Sequence, residues 1–449
     1  MLMYGRLKAG VSEIEITGRN GLKLAGRFSP VNAVKVKTPL FAKALILSND
    51  ETVLAIITLD LIGLGRKNCE RICDAVKKET SISPECIMIS CSHTHASPCT
   101  IPYFGCEGIE EEYVEEVILK VSETVKKSLE NLQNASLGAG SALLPHIIYN
   151  RRFITRNMKV ITHWMDMPIP KNEVYMPEGP IDPELSVLVL RNAEGYPLCL
   201  LWNFAGHNVF SVGDQYSADL PYYVQNYIDN SLGKHIPVMY LPGCGGNINF
   251  NGDIGKVTEW ISNAIVAVQL DTPCDPNIYL GSKKEEIVLP IRDYSQFWSE
   301  FDIKLKFPQV LETYRQELEF LRKEGANAVA TYLQALRIGN FALAGLPGEP
   351  FVEFGLEIKK RSPFLRTFVA GYTNDYPGYI ITRRAFEYEG YESWTSRLAK
   401  IGPGGGEYLV TRTLILMENL AKEAPLSRKI PIKAKEEMLG SLADFDESF

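Results

Sequence analysis

Short apolar runs punctuate the chain at residues 41–47, 52–59, 85–90, 185–190, 197–204, 237–241, 341–346 and 367–371, most of them giving way to glycine or polar residues. Runs of this length suit buried β-strands better than buried helices, and residues 10–17 and 135–144 add two more candidate strands. Between them the pattern changes period. Cys69, Ile72, Cys73 and Val76 recur at helical spacing within 65–79, and 111–131, 254–270 and 351–360 read as further helices. The Lys/Glu-rich stretch 309–335 reads as one long solvated helix. Strands alternating with helices predict an α/β fold of mixed, largely parallel sheets flanked by helices, with ligand residues at the carboxyl ends of the strands.

At 449 residues, 45% apolar and 22% charged, the chain can build one large core. We read residues 1–425 as one domain and 426–449 as a C-terminal tail. Residues 145–183 are rich in proline, methionine and aromatics without a clean period, and are expected to form a lid-like excursion packed over the core. A net charge of −7 with no long Lys/Arg run argues against nucleic acid as a partner. No stretch reaches the roughly 18 uninterrupted apolar residues of a membrane span, and no apolar leader opens the sequence, so a cytoplasmic protein is expected. A homo-oligomer is left open. The nine cysteines are odd in number and lack a CxxC pair; reduced thiols are expected, although Cys99 and Cys106 are close enough in one loop to pair in an oxidising or hyperthermophilic setting.

Only six histidines are present, and two of them share the segment SHTHASP, as His93 and His95. Alternate residues of an extended segment point opposite ways, which favours one metal ligand and one acid/base over two ligands for one ion. A lone histidine at a strand end is more often a satisfied polar residue than a ligand. Convergence argues the other way. His93, His207, the loop 243–252, Glu349 and a tyrosine-rich segment each follow an expected strand, and two histidines with one glutamate can hold a catalytic zinc that keeps a coordination position open.

SHTHASP resembles the THTHSGPG segment of the neutral ceramidases, a family of zinc amidases. The resemblance continues in order through NFAGH, ending at His207, LPGEPF around Glu349, and TNDYPGY followed by GYE. It covers most of the chain discontinuously. It implies one zinc ion per chain held by His93, His207, Glu349 and Tyr379, with His95, Arg151 and Tyr391 around a reacting amide of a small or lipid-like N-acyl substrate. Where the family's glycine-rich loop carries a catalytic serine, this chain has Asn249. An amide cannot serve as an activated hydroxyl nucleophile, so the resemblance then implies attack by a zinc-bound water. No C-terminal β-sandwich of the longer ceramidases is expected, which directs the substrate expectation away from long-chain ceramide.

On this reading His95 shuttles the proton, while Tyr391, Arg151 and Asn249 hold or polarise the carbonyl oxygen. Arg151 as a surface ion pair and Tyr391 as core packing are the competing structural readings. Asp60 and Asp219 are candidate supports for the site, with a helix cap an alternative for Asp219. Cys244 reads as a structural thiol rather than a nucleophile. A zinc esterase or other metallohydrolase acting on small polar substrates, and a non-catalytic ligand-binding protein, remain the alternative functions.

Overall fold

The computed structural model describes residues 5–106, 108–163, 174–294 and 310–426. Eight strands form the larger sheet: β1 (Lys8–Glu15), β2 (Phe41–Ser48), β3 (Val53–Leu59), β4 (Ile87–Cys91), β5 (Gln133–Leu143), β6 (Glu184–Asn192), β7 (Pro197–Phe204) and β8 (Val238–Pro242). Their spatial order is β8-β7-β6-β5-β1-β2-β3-β4. A second sheet has β9 (Leu280–Pro290), β10 (Ala328–Ile338), β11 (Phe341–Gly345) and β12 (Arg366–Ala370) side by side in that order.

The two sheets pack face to face, and the alternation of side chains along each strand explains the continuous apolar runs. On β2, Leu45 and Leu47 point into the layer between the sheets, where they meet residues such as Leu336, Leu343 and Phe368 of the second sheet. Ala44 and Ile46 point the other way, under the helices α1 (Arg66–Thr80) and α2 (Glu111–Glu130). Along the same outer face, α3 (Leu220–Leu232) and α4 (Ile254–Asp271) cover β6, β7 and β8. The outer face of the second sheet is covered by α5 (Leu311–Glu324), α6 (Val352–Arg361) and α7 (Gly405–Glu423). Strands buried on both faces lose the polar alternation of half-exposed ones. Phe368, fully buried between the sheets, is a position where truncation to alanine should cost about 3–5 kcal/mol.

The mixed α/β class is as expected, but the parallel share is smaller. In the two main sheets only β3–β4, β7–β8 and β11–β12 run parallel, and the other seven neighbouring pairs are antiparallel. Short connections decide this: four residues between β2 and β3, or between β6 and β7, make hairpins, whereas a parallel pair needs a long crossover. The three parallel pairs are nevertheless the ones whose carboxyl ends lead into the candidate site.

The helix expected over 309–335 ends at Glu324, where Gly325 takes a left-handed φ of 60°, and Ala328–Ile338 is strand β10. Val329 and Thr331 are β-branched and favour the strand. Cys99 and Cys106, expected as thiols, are joined by a disulfide, and the other seven cysteines are free. The expected excursion contains strand pieces of only three or four residues, Ile148–Asn150, Arg152–Thr155, Val160–Thr162 and Val174–Pro177, too short to show a period; residues 164–173 lie outside the described set. The expected tail lies outside it from residue 427 onward. Among the described residues, no helix is long and apolar enough to cross a membrane.

Candidate metal centre and its surroundings

β4 ends at Cys91, and His93 turns out of the strand direction with a φ of 58°, a conformation costly for a residue with a Cβ. The alternation that would separate His93 from His95 therefore does not operate. Their rings meet edge to face with centroids 4.8 Å apart, and their Nε2 atoms are 3.1 Å apart. His207 follows β7, and its ring lies 4.9 Å from that of His93. The three imidazoles form one group whose ligand atoms lie within 4.8 Å of one another.

Two of these imidazoles are anchored in the same manner. His93 Nδ1 is 2.8 Å from the carbonyl oxygen of Ile62, and His207 Nδ1 is 2.8 Å from that of Gly245. A carbonyl only accepts, so each Nδ1 must carry the proton, which leaves each Nε2 with a bare lone pair. Both lone pairs face Glu349 Oε2, at 3.4 Å from His93 and 3.2 Å from His207. That oxygen is buried and has no hydrogen-bond partner, while Oε1 accepts from the Tyr376 hydroxyl. Three acceptors turned on one another without a hydrogen between them repel, unless a cation sits among them. The two Nε2–Oε2 spacings match the edge of a tetrahedron with ligand bonds of about 2.0–2.1 Å, which is about 3.3 Å. The donor set therefore fits zinc.

Protonation favours the same reading. Burial first, and then the positive charge of Arg151, lower the His207 pKa to about 4, so its imidazole is neutral at physiological pH. Burial also lowers the His95 pKa well below the ordinary value.

Glu349 is positioned by the loop after β11. Gly348 takes a φ of 63°, and a Cβ there would lie 2.3 Å from the Gly378 carbonyl, so only glycine fits. The short bridge that follows pairs Glu349 with Tyr379 and brings the tyrosine segment alongside. Tyr379 is buried, and its hydroxyl accepts a 3.1 Å hydrogen bond from Arg151 Nη2. Arg151 also donates through Nε to Glu392 at 2.8 Å, through Nη2 to the Gly246 carbonyl at 2.8 Å, and through Nη1 to Asn249 Oδ1 at 3.4 Å. It is 2% exposed, which rules out the surface ion pair. Asn249 sits beside His207 through a local bridge.

Tyr391 is buried and meets Tyr379 edge-on at 5.9 Å, so it packs within the core beside Tyr379. Asp219 is not a side-chain cap of α3. Its carboxylate accepts from the Phe210 and Ser211 amides and from the Ser211 and Ser217 hydroxyls, fixing the loop that follows His207, while Asn208 Oδ1 accepts from the first amide of α3. Asp60 accepts from the Phe41 amide and, among the described residues, makes no hydrogen bond to the three imidazoles. Cys244 is buried against Gly355, and burial pushes its thiol pKa up, as suits a structural thiol.

Several residues of the site carry no sequence signal strong enough to single them out. Tyr372 stacks on His93 with ring centroids 4.1 Å apart, and Tyr376 bonds Glu349; both lie inside the tyrosine segment, among five tyrosines between 372 and 391. Arg152 is fully buried between Glu178 and Glu392, at 2.7 and 2.6 Å, and holds the far side of the Arg151 pair. Glu178 lies in the stretch without a period.

No family model and no curated protein matches the sequence. Solved structures do match. The crystal structure of neutral ceramidase from Pseudomonas aeruginosa superposes with a TM-score of 0.71 at 17% identity, over 96% of this chain and 77% of that one. A ceramidase complexed with C2 superposes with a TM-score of 0.70 at 16% identity, over 95% of this chain and 77% of the other. At this identity the likeness establishes a shared fold across nearly the whole chain.

Proposed function

We propose that the chain is a zinc-dependent amidohydrolase that cleaves the C–N bond of N-acyl compounds, with zinc held by His93, His207, Glu349 and Tyr379. One observation carries the reading: two neutral imidazoles, each locked by a main-chain carbonyl at Nδ1, turn their free Nε2 atoms on an unpartnered buried carboxylate oxygen. A structural role would be better served by a closed cysteine set, and such a locked tautomer is the usual support of a histidine ligand. The neighbours' name, ceramidase, favours an N-acyl amide as substrate.

Zinc bound there supplies Lewis-acid polarisation of the amide carbonyl and makes a water acidic enough to react near neutral pH. The remaining work falls to side chains. His95 is half-buried, and among the described residues no main-chain carbonyl holds its Nδ1 as one holds that of His93 and of His207. That freedom suits a group that takes a proton from the attacking water and returns it to the departing amine nitrogen. Both Nη2 hydrogens of Arg151 are committed to Gly246 and Tyr379, which leaves one Nη1 hydrogen to reach a carbonyl oxygen. The guanidinium also fixes the Tyr379 hydroxyl. Asn249, half-buried at the open side with His95, orients substrate by hydrogen bonding.

The test is metal content with matched activity. Elemental analysis should find about one zinc per chain in the wild type and almost none in His207→Ala. A panel of N-acyl amides and the matching esters, varied in chain length, separates amidase from esterase. Equal metal in both proteins, or none in either, would remove the site.

A further inference from the structure

Arg27 was not singled out by the sequence, and the turn that carries it lies directly against His95. Gly26 takes a φ of 77°, and its backbone rests on His95 so closely that a Cβ would stand 2.4 Å from Nδ1. Phe28 stacks on Phe104 with ring centroids 5.2 Å apart and meets Tyr391 edge-on at 6.4 Å. The turn 26–28 therefore reaches from the proposed proton carrier to the far tyrosine wall.

Arg27 is half-buried, and its guanidinium is poorly satisfied there. Nη2 lies 3.4 Å from the carbonyl oxygens of Ser211 and Gly213, Nη1 lies 3.5 Å from its neighbour's carbonyl, and Nε is buried with no partner. These are long contacts to neutral acceptors. Asp219, whose charge acts on Arg27, already accepts four hydrogen bonds from its own loop and makes no ion pair with Arg27 among the described residues. Burial accordingly lowers the Arg27 pKa, with Asp219 only partly offsetting it. A second cation stands nearby: Lys37 Nζ donates to Ser211 Oγ at 3.0 Å and has no carboxylate partner among the described residues. A half-buried guanidinium held only by long contacts to neutral acceptors, with its Nε unpartnered, matches the planar fork of a carboxylate.

We infer that Arg27 recognises a carboxylate on the leaving-amine side of the substrate, which makes the substrate class N-acyl amino acids. This rests on the amidohydrolase reading, since the side is assigned by the contact of the turn with His95, the group that protonates the departing nitrogen. Lys37 adds positive potential at the rim.

Calorimetric titration of wild type, Arg27→Gln and Arg27→Lys with N-hexanoylglycine and its neutral analogue N-hexanoylglycinamide tests this, on zinc-loaded and chelator-stripped protein. Stripping removes any direct carboxylate–metal bond. In stripped wild type the acid should bind about 10- to 100-fold more tightly than the amide, as a charge-assisted pair provides. The ratio should fall close to one in Arg27→Gln and stay intermediate in Arg27→Lys. Equal binding of both ligands by stripped wild type overturns the assignment, and so does an acid preference that Arg27→Gln leaves intact. Equal binding by the wild type refutes the assignment even if the variants fold poorly, and the charge-keeping Arg27→Lys separates loss of the carboxylate contact from loss of the fold. Absence of zinc alongside a retained acid preference would remove the metal reading and leave this one standing.

Discussion

His207 Nε2 and Glu349 Oε2 stand 3.2 Å apart with no hydrogen available to either, because the imidazole proton is spent on the Gly245 carbonyl. Without a cation the pair is repulsive, and with one it is a ligand edge. Metal removal should therefore lower the wild-type melting temperature, since anything bound to the native state alone stabilises it by mass action. Glu349→Gln replaces one repelling oxygen and cancels the buried charge. The expected order is metal-loaded wild type above Glu349→Gln, and Glu349→Gln equal to or above chelated wild type. Differential scanning calorimetry with and without a chelator measures it; a wild type indifferent to chelation contradicts the proposed site.

Arg151, Glu392 and Arg152 form a buried chain of charges in which each carboxylate oxygen of Glu392 takes one guanidinium. Arg151→Met leaves Glu392 half-paired and the Tyr379 hydroxyl without its donor. A buried ion pair broken on one side costs about 3–5 kcal/mol, whereas removing both partners costs less. Urea denaturation should show that loss in Arg151→Met and a smaller one in Arg151→Met/Glu392→Met. Arg151→Lys should not restore the wild type, because an ammonium cannot reach Glu392, Gly246 and Tyr379 together.

The strand ends that carry His93, His207 and Glu349 were legible because burial on both faces leaves apolar runs that stop where chemistry begins. Strand direction was not, since parallel and antiparallel neighbours look alike once both faces are covered, and β2 and β3 resemble β3 and β4 in sequence. The joint placement of His93 and His95 was hidden for a different reason: period-two reasoning assumes extended backbone, and one left-handed residue at His93 cancels it. Arg152 and Glu178 were invisible because a buried ion pair has no periodicity and its partners lie 26 residues apart. The disulfide was weighed against an odd cysteine count, which says nothing about any one pair.

Cys244 lies in the glycine-rich loop, close enough to the centre to invite a thiol mechanism. Its burial and raised pKa argue that the thiolate does not form in the native state. Cys244→Ala should retain hydrolysis within a few fold of wild type. A small thiol-directed disulfide reagent should label Cys244 only after denaturation. Complete loss of turnover with zinc still bound would move the nucleophile from water to this sulfur.

Glu353 on α6 is half-buried outside the centre, and Asn247 Nδ2 donates to its Oε2 at 3.0 Å. Burial, the largest cause, raises its pKa to about 7 from an ordinary carboxylate value near 4.5. Between those two values the native state binds more protons than the unfolded chain, so stability must fall as pH rises through that window and level off above it. The carboxylate form then costs about 3 kcal/mol at pH 8, to order of magnitude. Glu353→Gln keeps the shape and an acceptor for Asn247 but cannot ionise. Urea melts of both proteins at pH 5, 6, 7 and 8 should show the variant gaining on the wild type as pH rises, with little further gain above pH 8. Parallel stability curves would mean that Glu353 is protonated no more readily in the fold than out of it.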